Sequence, residues 1–119
     1  MSNSDIVKRA FAAVEANDVN TYVSLFTDDA FYKAANFDPV VGPDGIRQFA
    51  APVMEMFEKV THDVQGMWED GNTVIAEVVL TYRRRDAKVV SVPCVDVIRL
   101  KGGKIESLQA YLDLSPVFA

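Results

Sequence analysis

From Thr73 to Leu112 the chain alternates with a side-chain period of two through three long stretches separated by turn-forming residues. Thr73 to Arg84 turns through Asp86-Ala87, Val89 to Leu100 turns through Gly102-Gly103, and Ile105 to Leu112 closes the series. Thr61 to Glu69, ending at Asp70-Gly71, supplies a fourth stretch ahead of them. Alternating runs joined by short turns predict a four-stranded antiparallel meander. A one-residue slip in pairing would reverse every side chain, so the meander commits each residue to one face. The inner face takes Val74, Ala76, Val78, Leu80 and Tyr82, then the even-numbered residues from Val90 to Leu100, then Leu108, Ala110 and Leu112. Keeping these faces matched requires three-residue connections, which glycine in the last turn permits, or a bulge, which Pro93, unable to donate to a ladder, would mark if one exists.

The first half is helical in period. Ile6, Val7, Ala10, Phe11 and Val14 recur at helical spacing behind the capping pair Ser4-Asp5. Asn17 stops that helix, and Asp18 caps a short second one carrying Val19, Tyr22, Val23 and Phe26, ended by Thr27-Asp28-Asp29. Ala30 to Asn36 reads as a short strand with Tyr32, Ala34 and Asn36 on one side. Pro43 suits the start of a third helix, whose stripe is Ile46, Phe49, Ala50, Val53, Phe57 and Val60. Pro52 lies inside it and is expected to kink or split the helix near Ala51. Three helices ahead of an antiparallel meander make an α+β fold, and 119 residues make one domain, 1–119.

Asp96 is the one ionisable group on the inner face of its strand, among Val90, Val92, Cys94, Ile98 and Leu100. A buried carboxyl is costly unless it is paired, protonated or used, so Asp96 is the first candidate acid or base. Tyr32, pointing inward by parity, is a second candidate as a hydrogen-bond partner of Asp96 or of a bound carbonyl. His62, the sole histidine, is a third, placed at a cavity rim with Val64 and Trp68 on its side. Trp68, Phe57, Met54, Met56 and Tyr82 supply aromatic and thioether surface suited to flat ligands. Val78, Leu80, Cys94, Leu108, Ala110 and Asn36 complete the expected pocket. Each of these also has a plain structural reading as core or cap.

Net charge is −5, a poor match for nucleic acid or anionic lipid, and Arg83-Arg84-Arg85 followed by Asp86 reads as a solvated hairpin tip. Cys94 is the only cysteine, which excludes an internal disulfide and suits a reducing, cytoplasmic setting. No segment reads as a signal peptide or a membrane span. One histidine without a cysteine or carboxylate cluster cannot build a metal site, and no cofactor motif is present. The opposite face of the sheet mixes Ile75, Val79, Val95, Val97 and Tyr111 with polar residues, too apolar for a wholly wet surface, so a homodimer through the sheet is expected.

Several local strings carry a resemblance. They are Ala16-Asn17-Asp18, Leu25-Phe26-Thr27-Asp28-Asp29-Ala30, Gly42 with Gly45-Ile46-Arg47-Gln48-Phe49, Asp96-Val97-Ile98-Arg99-Leu100, Gly103-Lys104-Ile105 and Tyr111-Leu112-Asp113. With this order of elements the chain resembles the nuclear transport factor 2-like superfamily, in its SnoaL-like and ketosteroid-isomerase-like branches. The resemblance implies a cone of three helices on a curved sheet, open to small lipophilic molecules, and commonly a dimer. It implies that Asp96 stands where ketosteroid isomerases keep an oxyanion-hole acid, the handling of a neutral carboxyl for which that enzyme is the standard example. The isomerase's tyrosine and general-base aspartate fall on Ala10 and Ala34, and the limonene epoxide hydrolase triad falls on Val78, Leu80 and Ala110, so neither reaction is implied. Three functions stay open. They are an isomerase, cyclase or dehydratase acting through Asp96, a non-catalytic small-molecule binder, and an interaction domain with a filled cone.

Overall fold

The computed structural model describes residues 1–119. Helix α1 (Asn3–Glu15) starts at Ser2, whose side chain accepts from the Asp5 amide while Asp5 accepts from the Ser2 amide. Its buried stripe includes Ile6, Val7, Ala10 and Phe11, and Asn17, at φ 54°, turns the chain away. Helix α2 (Val19–Ser24) is capped by Asp18, which accepts from the Thr21 amide. Strand β1 (Phe26–Ala34) follows at once, so Thr27-Asp28-Asp29 lies within a strand instead of ending a helix.

Ala35, at φ 50°, ends β1 two residues before the expected limit. Strand β2 (Val40–Val41) leads into α3 (Gly42–Met56). Pro52 does not split α3, because the buried stripe of Ile46, Ala50 and Met54 holds the helix together across the missing hydrogen bond. Phe57 and Val60, expected on that stripe, belong instead to β3 (Phe57–Asp70) and are buried there.

The meander continues through β4 (Thr73–Arg84), β5 (Val89–Lys101) and β6 (Lys104–Tyr111), and α4 (Ser115–Phe118) ends the chain. The six strands form one curved, unclosed sheet in the order β2-β1-β6-β5-β4-β3. The meander is antiparallel as expected, while β1 joins it parallel to β6. Helix α1 packs on β3 and β4, and α3 on β1 and β3. Glu69 at the end of β3 accepts from the Ser4 amide and hydroxyl, at 2.7 and 2.8 Å, tying the sheet to the start of α1.

Two different devices keep the inner faces matched. Between β4 and β5 the Arg84 amide donates to the Lys88 carbonyl around Arg85-Asp86-Ala87, with Ala87 at φ 71°. That three-residue turn pairs even residues with even, including Val78 with Cys94 and Ala76 with Asp96. Between β5 and β6 the turn is only Gly102-Gly103, and a bulge between Arg99 and Leu100 restores the parity. Pro93 carries no bulge and pairs in register with Val79.

Candidate active site

Asp96 lies in a row set across four strands. Its neighbour on β4 is Ala76, its neighbour on β6 is Ala110, and Ala110 pairs in turn with Ala34 on β1. Ala76 is packed into the core, whereas the methyl groups of Ala110 and Ala34 leave a hollow beside the carboxyl where larger side chains would fill the space. A cavity of about 130 Å³ opens there, between the inner face of the sheet and the helices. Of the 23 residues lining it 21 are hydrophobic, and the other two are Asp96 and His62, so only an apolar ligand body can replace water without loss.

Asp96 is 6% exposed. Its one side-chain partner is the Cys94 thiol, a weak donor 3.7 Å from Oδ1. Burial raises its pKa to about 7, against a small lowering by the thiol. Every enclosed polar side-chain atom has a hydrogen-bond partner, so Oδ2, which has none, must border open space. The Cys94 thiol is itself raised well above its ordinary range, first by burial and then by Asp96, which makes it a poor nucleophile.

Tyr32 on β1 faces inward, as its parity implied, and its hydroxyl lies 3.0 Å from that of Tyr22 on α2. The two rings meet edge to face, 6.3 Å between centroids and 87° between planes. Burial pushes Tyr32 up to about 12, with the Tyr22 hydrogen bond pulling the other way and Asp96 adding to the rise. Tyr22 is also well raised, by burial and then by Tyr32 and Asp96, so both phenols stay neutral donors near neutrality. Tyr22 was read in the sequence only as part of a helical apolar stripe, and a stripe does not separate packing rings from hydroxyl-bearing ones.

His62 also lines the cavity, with Nδ1 3.1 Å from Glu15 Oε2. Burial lowers its pKa and Glu15 opposes the fall. Leu80, Tyr82, Cys94, Leu108, Ala110, Phe57 and Met54 all reach the cavity wall.

Three expected pocket residues do not. Trp68 is 57% exposed on the outer face, because the register of β3 against β4 shifts between Val64 and Gly66. Before the shift His62 pairs with Leu80 on the inner side; after it Trp68 pairs with Ile75 on the outer side. Val78 faces inward but is packed into the core, 1% exposed, away from the cavity. Asn36 stands exposed in the turn after Ala35, beyond the end of β1. Met56, considered with the aromatic lining, is likewise exposed.

The sequence profile of the SnoaL-like domain matches residues 7–108. The chain belongs to the SnoaL-like domain family. Among solved structures, the chain is similar to a protein of ketosteroid-isomerase-like fold from Catenulispora acidiphila DSM 44928, in complex with trimethylamine. It is 27% identical, the match covering 92% of this chain and 86% of that one, with a TM-score of 0.85. A protein described as a SnoaL-like polyketide cyclase, from Jannaschia sp. CCS1, shares the fold at 20% identity and a TM-score of 0.84, covering 98% and 88% of the two chains. TerC, co-crystallised with polyporic acid, shares it at 15% identity and a TM-score of 0.85, covering 98% and 95%. No curated protein sequence matches the chain significantly. No helix is long and apolar enough to cross a membrane.

Proposed function

We propose that this SnoaL-like protein binds a small, largely apolar molecule in the cavity and moves a proton on it through Asp96. The observation that carries this reading is a carboxyl 6% exposed, raised to about 7, bordering a 130 Å³ hollow with almost no other polar wall. A group titrating near the working pH is suited to give and take protons. The size favours a single ring, since an engineered cavity of roughly 150 Å³ accepts benzene. Within the Tyr22–Tyr32 pair one hydroxyl donates to the other, which leaves one neutral O–H that would steady charge developing on a substrate oxygen. Isomerase, cyclase and dehydratase steps all fit this set and need no cofactor. Neighbours of this fold crystallised with trimethylamine and polyporic acid support a small molecule as the partner.

The test is proton exchange. Cyclohexanone and 2-cyclohexenone in D₂O are followed by NMR with wild type and with Asp96→Asn. Faster exchange α to the carbonyl in wild type alone supports acid–base work. Equal rates with retained binding favour the second reading, a non-catalytic binder. That reading draws support from Ala10 and Ala34, which line the wall where the ketosteroid-isomerase resemblance places two functional residues.

The exposed outer face, with Trp68, Ile75, Val95 and Tyr111, supports a homodimer through the sheet. Its apolar side chains are linked strand to strand, Trp68 with Ile75 and Val95 with Tyr111. The single, unpaired cysteine supports a reducing cytoplasmic setting.

A further inference from the structure

His62 stands on the cavity wall well away from Asp96. Across the sheet it aligns through Leu80 with Val92, two strands over and four residues along from the carboxyl. Its ring lies flat on Phe11, centroids 4.4 Å apart and 11° from parallel, and the side chain is 8% exposed. Glu15 Oε2 meets this histidine twice, 3.1 Å from Nδ1 and 3.3 Å from the backbone N–H, which donates to it. A carboxylate can only accept, so the ring proton belongs on Nδ1. Burial disfavours a second proton, and Glu15, the one charged group facing the ring, only partly offsets that. Phe11 on α1 and Leu80 on β4 bring no charge to it. A neutral ring protonated on Nδ1 leaves Nε2 as a bare lone pair. Nε2 has no protein partner, and no enclosed polar side-chain atom lacks one, so Nε2 borders open space.

We propose that Glu15 is a positioning residue that locks His62 with Nε2 as a hydrogen-bond acceptor on the cavity wall, and that the bound molecule carries a matching O–H or N–H donor. The ligand half of this rests on the cavity being a small-molecule site. It narrows the ligand class to an apolar ring bearing a neutral donor, such as a phenol, enol, alcohol or N–H group. An anionic group is disfavoured at this end, because the Nε2 lone pair and the Glu15 charge behind it would both oppose it.

Ring ¹H–¹⁵N NMR of the protein without ligand tests the Glu15 half. Wild type should show a protonated Nδ1 and a bare Nε2. Glu15→Ala should move the ring toward the Nε2–H tautomer, and Glu15→Gln, whose amide oxygen still accepts, should keep Nδ1–H while the histidine pKa falls. A Glu15 that merely braced the fold would leave the tautomer unchanged. Wild type protonated on Nε2, or an unaltered tautomer in Glu15→Ala, overturns the proposal.

The ligand half is read with p-cresol against both 4-methylanisole, which keeps the oxygen but lacks the donor and is one methyl larger, and p-xylene, which matches p-cresol in shape and lacks the donor. One hydrogen bond should favour p-cresol about five- to tenfold and move the Nε2 resonance. Both effects should disappear in Glu15→Ala. Equal affinities, or binding that leaves Nε2 unmoved, overturn it. If none of the probes binds, the ligand half falls together with the cavity reading, and the tautomer result still decides the role of Glu15.

Discussion

Asp96→Asn tests the dry carboxyl most directly, because it removes the titration while keeping the shape. The pKa of Asp96 rises from 3.8 to about 7 on folding. Roughly three units at about 1.36 kcal/mol each amount to about 4 kcal/mol. The sign follows from the proton count. Between about pH 4 and pH 7 the folded chain keeps a proton that the unfolded chain has lost. The stability linked to that proton is therefore complete below the unfolded pKa and is lost as pH rises to about 7, with little change above.

His62 works in the opposite sense, since its lowered pKa costs stability as pH falls below its ordinary value of 6.5. Only the difference between wild type and variant isolates Asp96. A buried amide with unmade hydrogen bonds adds a constant offset of about 1–2 kcal/mol, so the trend with pH is the informative quantity. Thermal unfolding from pH 4 to pH 8 should show Tm of Asp96→Asn gaining on wild type by on the order of 10–15 °C across the window. A side-chain ¹³C titration of wild type should give a midpoint near 7 for Asp96. A Tm difference that stays flat, or a midpoint near 4, would refute the reasoning from desolvation.

Tyr22→Phe removes the partner of the Tyr32 hydroxyl, and urea denaturation should show a loss of about 1 kcal/mol. A double-mutant cycle with Tyr32→Phe should return a coupling energy of similar size, and additive losses would mean the hydroxyls do not interact. Gly42→Ala should cost roughly 2–3 kcal/mol in the same assay, because the residue sits at φ 77° and a Cβ would lie 2.8 Å from the Asp28 carbonyl oxygen. Gly71→Ala, at φ 58° with open space around it, should cost only about 1 kcal/mol. Trp68→Glu places a charge in the outer apolar face, so sedimentation velocity should show a wild-type dimer and a folded monomeric variant. A monomeric wild type would end the dimer proposal.

How far the site could be read from sequence depended on where the register is regular. The β4–β5 pairing keeps one register from Thr73 with Arg99 to Arg83 with Val89, so parity alone put Asp96, Cys94, Leu80 and Tyr82 on the inner face. Parity failed for Trp68 because β3 shifts register after Val64, and alternation of residue types carries no mark of an extra residue. A signal was present in Gly66: a Cβ there would fall 2.4 Å from the Trp68 ring, which packs across the glycine on the outer face. Asn36 was lost for a related reason, since Ala35 takes a left-handed φ that alanine seldom announces.

The cavity was the least legible feature, because it is made of small residues rather than of distinctive ones. Ala34 belongs to a strand whose parallel pairing with β6 no local pattern records, and that pairing is what brings it beside Ala110 and, through Ala110, toward Asp96. Tyr22 and Glu15 show the same limit from the helical side. One sits on an apolar stripe and the other at a helix end, and their chemistry appears only when β1 and β3 carry Tyr32 and His62 to them. Residues set by local period are thus legible one at a time, whereas a site assembled by register becomes legible only as a row. The Asp96 row depends on three pairings at once, β4 with β5, β5 with β6 and β6 with β1, so a shift in any of them would set different side chains beside the carboxyl.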